Sequence, residues 1–513
     1  MIVDVKKLNQ PEWIAAISAF GGGLLIHLFG LVHIIHNTDS INYQFTGYGT
    51  GAASGRWFLQ FLGNFFFRHR MNYNLCLFNG LLFIVFIALS SAFIVSIFHI
   101  KSRQLAALLG LLLISFPTVC STMLYKFTSA FYGLAFFLAV LAVWVLPRWK
   151  IAGLLISACL TTLSLAIYQA YLPVTASLFV LQLLLETLET NHSFSSFFRR
   201  GMYACLSIIL GLLLYFICTK IILASLNLSL NAYQGIENMG KLSLAQIPEL
   251  IGRTYSGYFR LAFSNYCNLS PNILLNLSYG FLLIIHPIVL VSASINKNKK
   301  KTTLVMAFFL WLIFPIAVNL IELMCPESRI YTLMVFGCVS VSLAPLILLQ
   351  TLPQQYKQTK LLYKVTAWVV LIMIVGNTYF TNLTYTKSYY VNRQVENYFS
   401  SLITQVRMTK DFTPELKWAF VGEISDPLID NPWQAVTVYG GTNSTEETLS
   451  AYSWQRWFRA YQGYAIPLAD SKQIDDIMQT QAFRTMPCWP AEGAIKVIDD
   501  VVIIKFANEL PAK

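Results

Sequence analysis

Charged side chains are scarce in this chain of 513 residues: 12% are Asp, Glu, Lys or Arg, 56% are hydrophobic, and the mean hydropathy is +0.58. A soluble domain carries about a quarter charged residues, so the composition excludes a soluble protein and indicates a polytopic membrane protein. The apolar runs are almost free of charge. That argues against a transporter, which buries charged residues in mid-span. Also missing is any CxxC pair. Of nine cysteines, Cys76, Cys120, Cys159, Cys205, Cys218 and Cys338 sit within apolar runs, where cysteine behaves as a small hydrophobe. Neither a zinc site nor a disulfide framework is indicated; Cys267, Cys325 and Cys488 have polar surroundings, but their spacing supports no bond. The net charge of +12 does not point to nucleic acid, because before residue 390 the basic residues lie mostly in short clusters between apolar runs, as topology signals do. A convincing signal-peptide cleavage site is lacking too, so the first apolar run is expected to remain as a helix. No internal repeat stands out.

What is present is a succession of eleven apolar runs of about 17 to 23 residues, from residues 13–35 to residues 362–382, each long enough to cross a hydrocarbon core. With a cytoplasmic N-terminus, the inside segments hold fifteen basic residues, among them Lys101, Arg103, Lys357, Lys360 and Lys364, and the longer outside loops before residue 383 hold nine. This asymmetry favours that orientation and puts the C-terminal segment outside. The expected fold is therefore an α-helical polytopic domain, residues 1–382, followed by a small extracytoplasmic α/β domain, residues 383–513. The latter carries most of the acids and the alternating stretches "KWAFVGEI", "QAVTVYGG" and "GAIKVIDDVVIIKF". The last reads as a hairpin with Asp499 and Asp500 near its turn. Outer loops 36–75 and 224–273 are too long for plain connectors. "WFLQFLGNFFFRHR" places Trp57, Phe58, Phe61, Leu62, Phe65 and Phe66 on one helical face, and "LAQIPELIGRTYSGYFRLAFSNY" repeats the pattern, so both are predicted to be helices lying in the membrane interface.

Acids are rare enough to count. Asp39 is the only acid facing out across the first 236 residues, and Glu237, Glu249, Glu322 and Glu327 follow. A carboxylate just past a span end suits a general base. The alternative is a residue that caps a helix turn. Gly47, Gly49, Gly51 and Gly55 permit a tight backbone path after it. Arg329, Arg56, Arg253 and Lys126 are the outward-facing cations suited to a phosphate, arginine through its bidentate fork, and Arg329 ranks first because it opens a span. Glu327 either orients Arg329 or makes a surface pair with it. Tyr168 and Gln169 in "YQAY" either anchor a span end or touch a sugar or lipid. Trp457, in "AYSWQRWFRAYQGY", either stacks on a sugar or packs the domain. His33, His36 and Asp39 at spacing i, i+3, i+6 are weak as a metal set; the expectation is no metal, with His36 in a substrate-binding role.

A carboxylate in the first outer loop, an interfacial helix behind it, many spans and a folded outer tail form the plan of the GT-C glycosyltransferases. Through "HNTDS" at 36–40, "GRWF" at 55–58, "IYQAYLP" at 167–173, "PESRIYT" at 326–332 and "MPCWPAEGAIKVIDDVVIIK" at 486–505, the chain resembles the bacterial family of serotype-converting O-antigen glucosyltransferases, over almost its whole length. The resemblance implies transfer of glucose from undecaprenyl phosphate glucose to a lipid-linked O-antigen at the periplasmic face of the inner membrane. It makes Asp39 the base of an inverting reaction with no cofactor, and it implies a separate donor synthase and flippase. An O-antigen polymerase and a lipid-sugar flippase are the competing readings.

Overall fold

The computed structural model describes residues 9–43, 51–67, 73–189, 194–231, 243–296, 301–353, 355–422, 424, 433, 435–443, 449 and 453–508. Gly47, Gly49 and Glu237, singled out above, lie outside them, as do the basic-cluster residues Lys6, Lys7, Arg68, His69, Arg70, Lys297, Lys299 and Lys300. The chain divides into two compact units. The first comprises Met1–Val32, Thr46–Thr384 and Val438–Gly441, and the second His33–Phe45, Tyr385–Thr437 and Thr442–Lys513.

The first unit is helical. Among the described residues, seven helices are long and apolar enough to cross a membrane: Cys76–Ile97, Lys126–Val145, Gln169–Glu189, Phe194–Ser225, Ile273–Ala293, Lys301–Val318 and the start of the 52-residue helix Lys357–Met408. An eighth is the bent pair Arg103–Ser115 and Pro117–Leu124, which turns by 40° where Pro117 cannot continue the preceding helix. The chain is thus a mostly helical membrane protein. Lys150–Leu165 and Phe336–Leu349 are shorter apolar helices, and the first apolar run breaks into Gln10–Ile26 and Leu28–Val32.

Helix ends in this unit follow ordinary capping chemistry. The Glu12 carboxylate accepts the Asn9 amide at 2.6 Å, with Pro11 in the first turn. The Ser102 hydroxyl accepts the Leu105 amide and starts Arg103–Ser115.

The helix Trp57–Phe67 has a two-sided burial pattern. Phe58, Phe61 and Phe65 stack in a ladder with centroids 6.0 Å apart, and Phe61, Phe65 and Phe66 are exposed. Leu62, expected on the same face, is instead buried with Leu59, because it lies about 100° round the helix from Phe61. In Ile247–Phe263 the buried stripe is Leu250, Thr254, Gly257, Tyr258 and Leu261, while Phe259 and Phe263 are exposed.

The second unit is built on a three-stranded sheet of β1 (Lys417–Val421), β2 (Ile495–Ile498) and β3 (Val501–Lys505), in the order β1-β3-β2. β1 pairs parallel to β3 and β2 antiparallel to it, with Lys417 opposite Val501 and Ile495 opposite Ile504. The β2–β3 hairpin turns on Asp499 and Asp500, whose φ angles of 49° and 59° are those a two-residue type I′ turn requires. β3 is buried along its whole length. One sheet face packs on Phe399, Trp454, Trp457 and Phe458, and the other on Ile477 and Phe483. Even Lys505 is buried; its ammonium donates to the carbonyls of Phe483 and Met486 at 3.0 and 2.8 Å, which satisfies a charge that burial would otherwise destabilise.

"QAVTVYGG" is not a strand over its described residues. Its last four residues, Val438–Gly441, belong to the helical unit. Tyr439 is 0% exposed, donates its hydroxyl to Asn377 Oδ1 at 2.9 Å and its amide to Thr384 Oγ1 at 3.2 Å. Side-chain acceptors on helices take the place of a ladder, which the alternation of apolar residues alone does not reveal.

Candidate active site

In the first unit, the turn Gly51–Phe58 carries Arg56 into a group of aromatic and amide side chains. Gly55 has φ 71°, and a Cβ there would lie 2.3 Å from the Tyr215 hydroxyl and 2.8 Å from Gln169 Nε2, so only glycine fits. The turn is fastened on several sides. Gln169 Nε2 donates to the Ser54 carbonyl at 2.8 Å, the Tyr215 hydroxyl to the Gly55 carbonyl at 3.1 Å, the Asn231 amide to the Ala53 carbonyl at 2.8 Å, and the Phe58 amide to the Ala166 carbonyl at 3.0 Å. Half-buried Arg56 donates from Nη1 to the Tyr132 hydroxyl at 3.0 Å and from Nε to Gln169 Oε1 at 3.4 Å. Its guanidinium lies 4.8 Å from the centre of the Tyr168 ring, which stacks on Tyr132 at 4.4 Å. A cation over an aromatic face in a partly desolvated place is held firmly. Arg56, Tyr168 and Gln169, picked separately from the sequence, thus form one assembly.

The segment Cys325–Arg329 borders it. Cys325 and Met324 share an apolar cluster with Tyr215, Leu165 and Trp57. Burial pushes the Cys325 thiol up to about 11, against an opposite pull from Arg56. Arg253 donates to the Pro326 carbonyl at 3.0 Å and pairs with Glu249 at 2.7 Å, so both of its terminal nitrogens serve this loop and its own helix. Glu327 and Arg329 are exposed, and the Arg329 guanidinium lies 5.5 Å from the Tyr331 ring centre.

The loop ends on Thr332. Its carbonyl accepts the Thr118 hydroxyl at 2.9 Å; its own hydroxyl donates to the Cys267 carbonyl and accepts the Gly440 amide at 3.2 Å. A Cβ on Gly440 would lie 2.4 Å from that hydroxyl. Gly440→Ala is therefore expected to lower the stability of the purified protein by about 1–3 kcal/mol, read as a fall in Tm in detergent; an unchanged Tm would show that Thr332 moves aside freely.

Lys126 departs from expectation. It is 2% exposed, and its ammonium lies 3.6 Å from Met123 Sδ. The residue opens a span whose first turn is wrapped by Cys76–Ile97 and Pro117–Leu124, so the side chain that was expected to face outward is interior.

In the second unit, Asp39 occupies the first turn of Thr38–Tyr43. The cap is Asn37: its Oδ1 accepts the Ser40 amide at 2.7 Å, and Ser40 Oγ accepts the Asn37 amide at 2.8 Å. The capping role that sequence allowed for Asp39 thus falls to its neighbour, and Asp39 is half-buried. The segment is pinned by Asn392, which accepts the His36 amide at 2.6 Å and donates to the His36 carbonyl at 2.9 Å. The His36 ring meets Trp457 and Tyr461 edge-on at 5.7 and 5.8 Å. His36 and Trp457 are both interior and so support the segment from beneath. Among the described residues, no group of three His, Cys, Asp or Glu side chains is placed to hold a metal ion.

Burial pushes the His36 imidazole down to about 3, so the ring is neutral in the folded unit. Its ordinary value in the unfolded chain is about 6.5. Burying the ring carries no ionisation penalty above pH 6.5, where it is neutral in both states, and stability is lost as pH falls from there towards 3. His36→Phe is expected to flatten the acid side of a Tm-against-pH curve; an unaltered slope would assign it to other groups.

A family model described as "Glucosyl transferase GtrII" matches residues 28–342, more than half of the chain. The chain belongs to this family. No curated protein and no solved structure matches it. The matched region of this glucosyltransferase includes Asp39, Arg56, Lys126, Tyr168, Gln169, Arg253, Glu327 and Arg329 and stops short of Trp457. Sequence reasoning passed over Tyr132, Tyr215 and Asn231, which complete the Arg56 assembly. The first two lie inside apolar runs, where tyrosine looks like any other core aromatic, and only their hydroxyl partners distinguish them.

Proposed function

We propose that this glucosyltransferase takes glucose from undecaprenyl phosphate glucose and places it on a lipid-linked O-antigen at the periplasmic face of the inner membrane, altering the lipopolysaccharide serotype as a GT-C enzyme. The Asp39 carboxylate accepts the proton of the acceptor hydroxyl. The freed oxygen pair attacks the anomeric carbon, the bond from that carbon to the phosphate oxygen breaks, and undecaprenyl phosphate leaves with the configuration inverted. The leaving group already carries charge, so cations serve it better than a general acid. Arg56 and Arg329 fill that role, with Arg253 holding the Arg329 loop and Lys126 as a cation further in. Glu327 contacts substrate; Tyr168 and Gln169, expected from the sequence to touch substrate, are interior and seat Arg56, and His36 and Trp457 support the Asp39 segment.

The observation that carries this reading is the Arg56 assembly: a guanidinium seated on Tyr168 and tied to Gln169 and Tyr132, within a family of glucosyl transferases. Eleven spans are supported by the seven long helices, the bent pair, the two shorter apolar helices and the broken first run. In this reading residues 1–382 form the membrane domain with a cytoplasmic N-terminus, residues 383–513 form the periplasmic domain, and a separate synthase and flippase deliver the donor.

The test is purified protein in liposomes with synthetic polyprenyl phosphate glucose and a lipid-linked O-antigen. Glucose is expected on the acceptor only when both lipids are present. Transfer supported by a nucleotide sugar without the lipid donor would overturn the donor assignment.

A further inference from the structure

The helix Arg103–Ser115 and the first turns of Lys357–Met408 enclose an open groove of about 360 Å³. Gln104, Lys360, Tyr363 and Lys364 line it towards the helix starts, and Trp368 and Leu371 continue it along the helix; among the described residues, none of its lining side chains is acidic. Lys360, Lys364 and Trp368 are exposed, the last at 65%. Three helices begin at this end. Arg103 donates to Gln10 at the start of Gln10–Ile26, and Tyr363 reaches Ser102, which caps Arg103–Ser115. Lys101, Arg103 and Lys357 add to the positive charge there, and the helix starts add their dipoles.

This end is remote from the Arg329 loop. Lys360 and Thr384, which receives the Tyr439 amide, lie on one unbroken helix, and their 24 residues of separation correspond to about 36 Å. A hydrocarbon core is about 30 Å thick, so the groove and the end of the helix that holds Val438–Gly441 belong to opposite leaflets.

We propose that this groove binds an anionic glycerophospholipid, with its phosphate between Lys360 and Lys364 and an acyl chain along Trp368 and Leu371. Two ammonium groups above an apolar, lipid-facing wall match a phosphate attached to a hydrocarbon chain, and long lysines reach the headgroup level while their stems cover apolar surface. The site is independent of catalysis: its ligand is membrane lipid in the leaflet away from the transfer chemistry.

The experiment uses the full chain in nanodiscs containing phosphatidylglycerol and phosphatidylcholine, followed by native mass spectrometry of retained lipid. Wild type is expected to retain phosphatidylglycerol preferentially. Lys360→Ala/Lys364→Ala should reduce that preference roughly tenfold or more, Lys360→Arg/Lys364→Arg should keep it, and a circular dichroism spectrum should confirm that both variants fold. Equal retention of the two lipids by wild type, or a preference untouched in the folded alanine variant, would overturn the proposal. So would displacement by millimolar inorganic phosphate, which marks a plain phosphate site, or stronger retention of polyprenyl phosphate than of phosphatidylglycerol, which marks a substrate store.

Discussion

Asp39→Asn is expected to lower the rate of glucosyl transfer by roughly 10²–10⁴-fold while leaving the protein folded. Asparagine keeps the shape of the side chain and removes its ability to take a proton. The local backbone is held by Asn37 and Ser40, which cap the helix, and by Asn392, which clamps His36. A base acts on the acceptor, so the loss should appear in kcat, with the KM for donor little altered. Steady-state assays at saturating acceptor, alongside a Tm measurement, separate the two. Full activity in the variant would remove Asp39 as the base and direct attention to Glu322, Glu327, Glu249 or Glu237.

Arg56→Ala is expected to cost roughly 10²–10³-fold in kcat/KM for the donor, the range found when one preorganised donor to a developing anion is removed. Arg56→Lys should recover little. A lysine has no planar fork with which to meet Tyr132 and Gln169 while lying over the Tyr168 ring. The Arg56 side chain also packs, so Tm must be followed in parallel; a loss of activity at unchanged Tm assigns the effect to the charge. Wild-type donor kinetics in Arg56→Ala would remove this residue from the phosphate site and leave Arg329 as its principal cation.

Much of the membrane architecture was legible because apolar runs of spanning length announce themselves, and the hairpin at Asp499 and Asp500 was legible because two small acids between alternating apolar residues mark a tight turn. The elements of the site were legible one at a time. Arg56 drew notice as a charge in a greasy loop, and Tyr168 and Gln169 as polar residues at a span end, but their meeting depends on packing between elements 113 residues apart in sequence. Tyr132 and Tyr215 were invisible for the reason that apolar runs conceal any polar group whose partner is distant. Lys126 was misplaced because position at a span end sets depth in the membrane and leaves open which way the side chain turns. The "VYGG" segment was misread because alternation of side chains is common to a paired strand and to an extended peptide whose amides bond to hydroxyls on neighbouring helices.

Thr332 is tied to three other segments: its carbonyl takes the hydroxyl of Thr118 on one helix, and its hydroxyl meets the backbone of Cys267 in a turn and of Gly440 in the inserted tetrapeptide. A lid must be able to lift, and a loop terminating in such a knot has little freedom to do so. Arg329 therefore sits on a preset jaw rather than a closing one. On the donor role proposed for Arg329, selection there falls to the fit of the arriving headgroup, with little of its binding free energy consumed in ordering the protein.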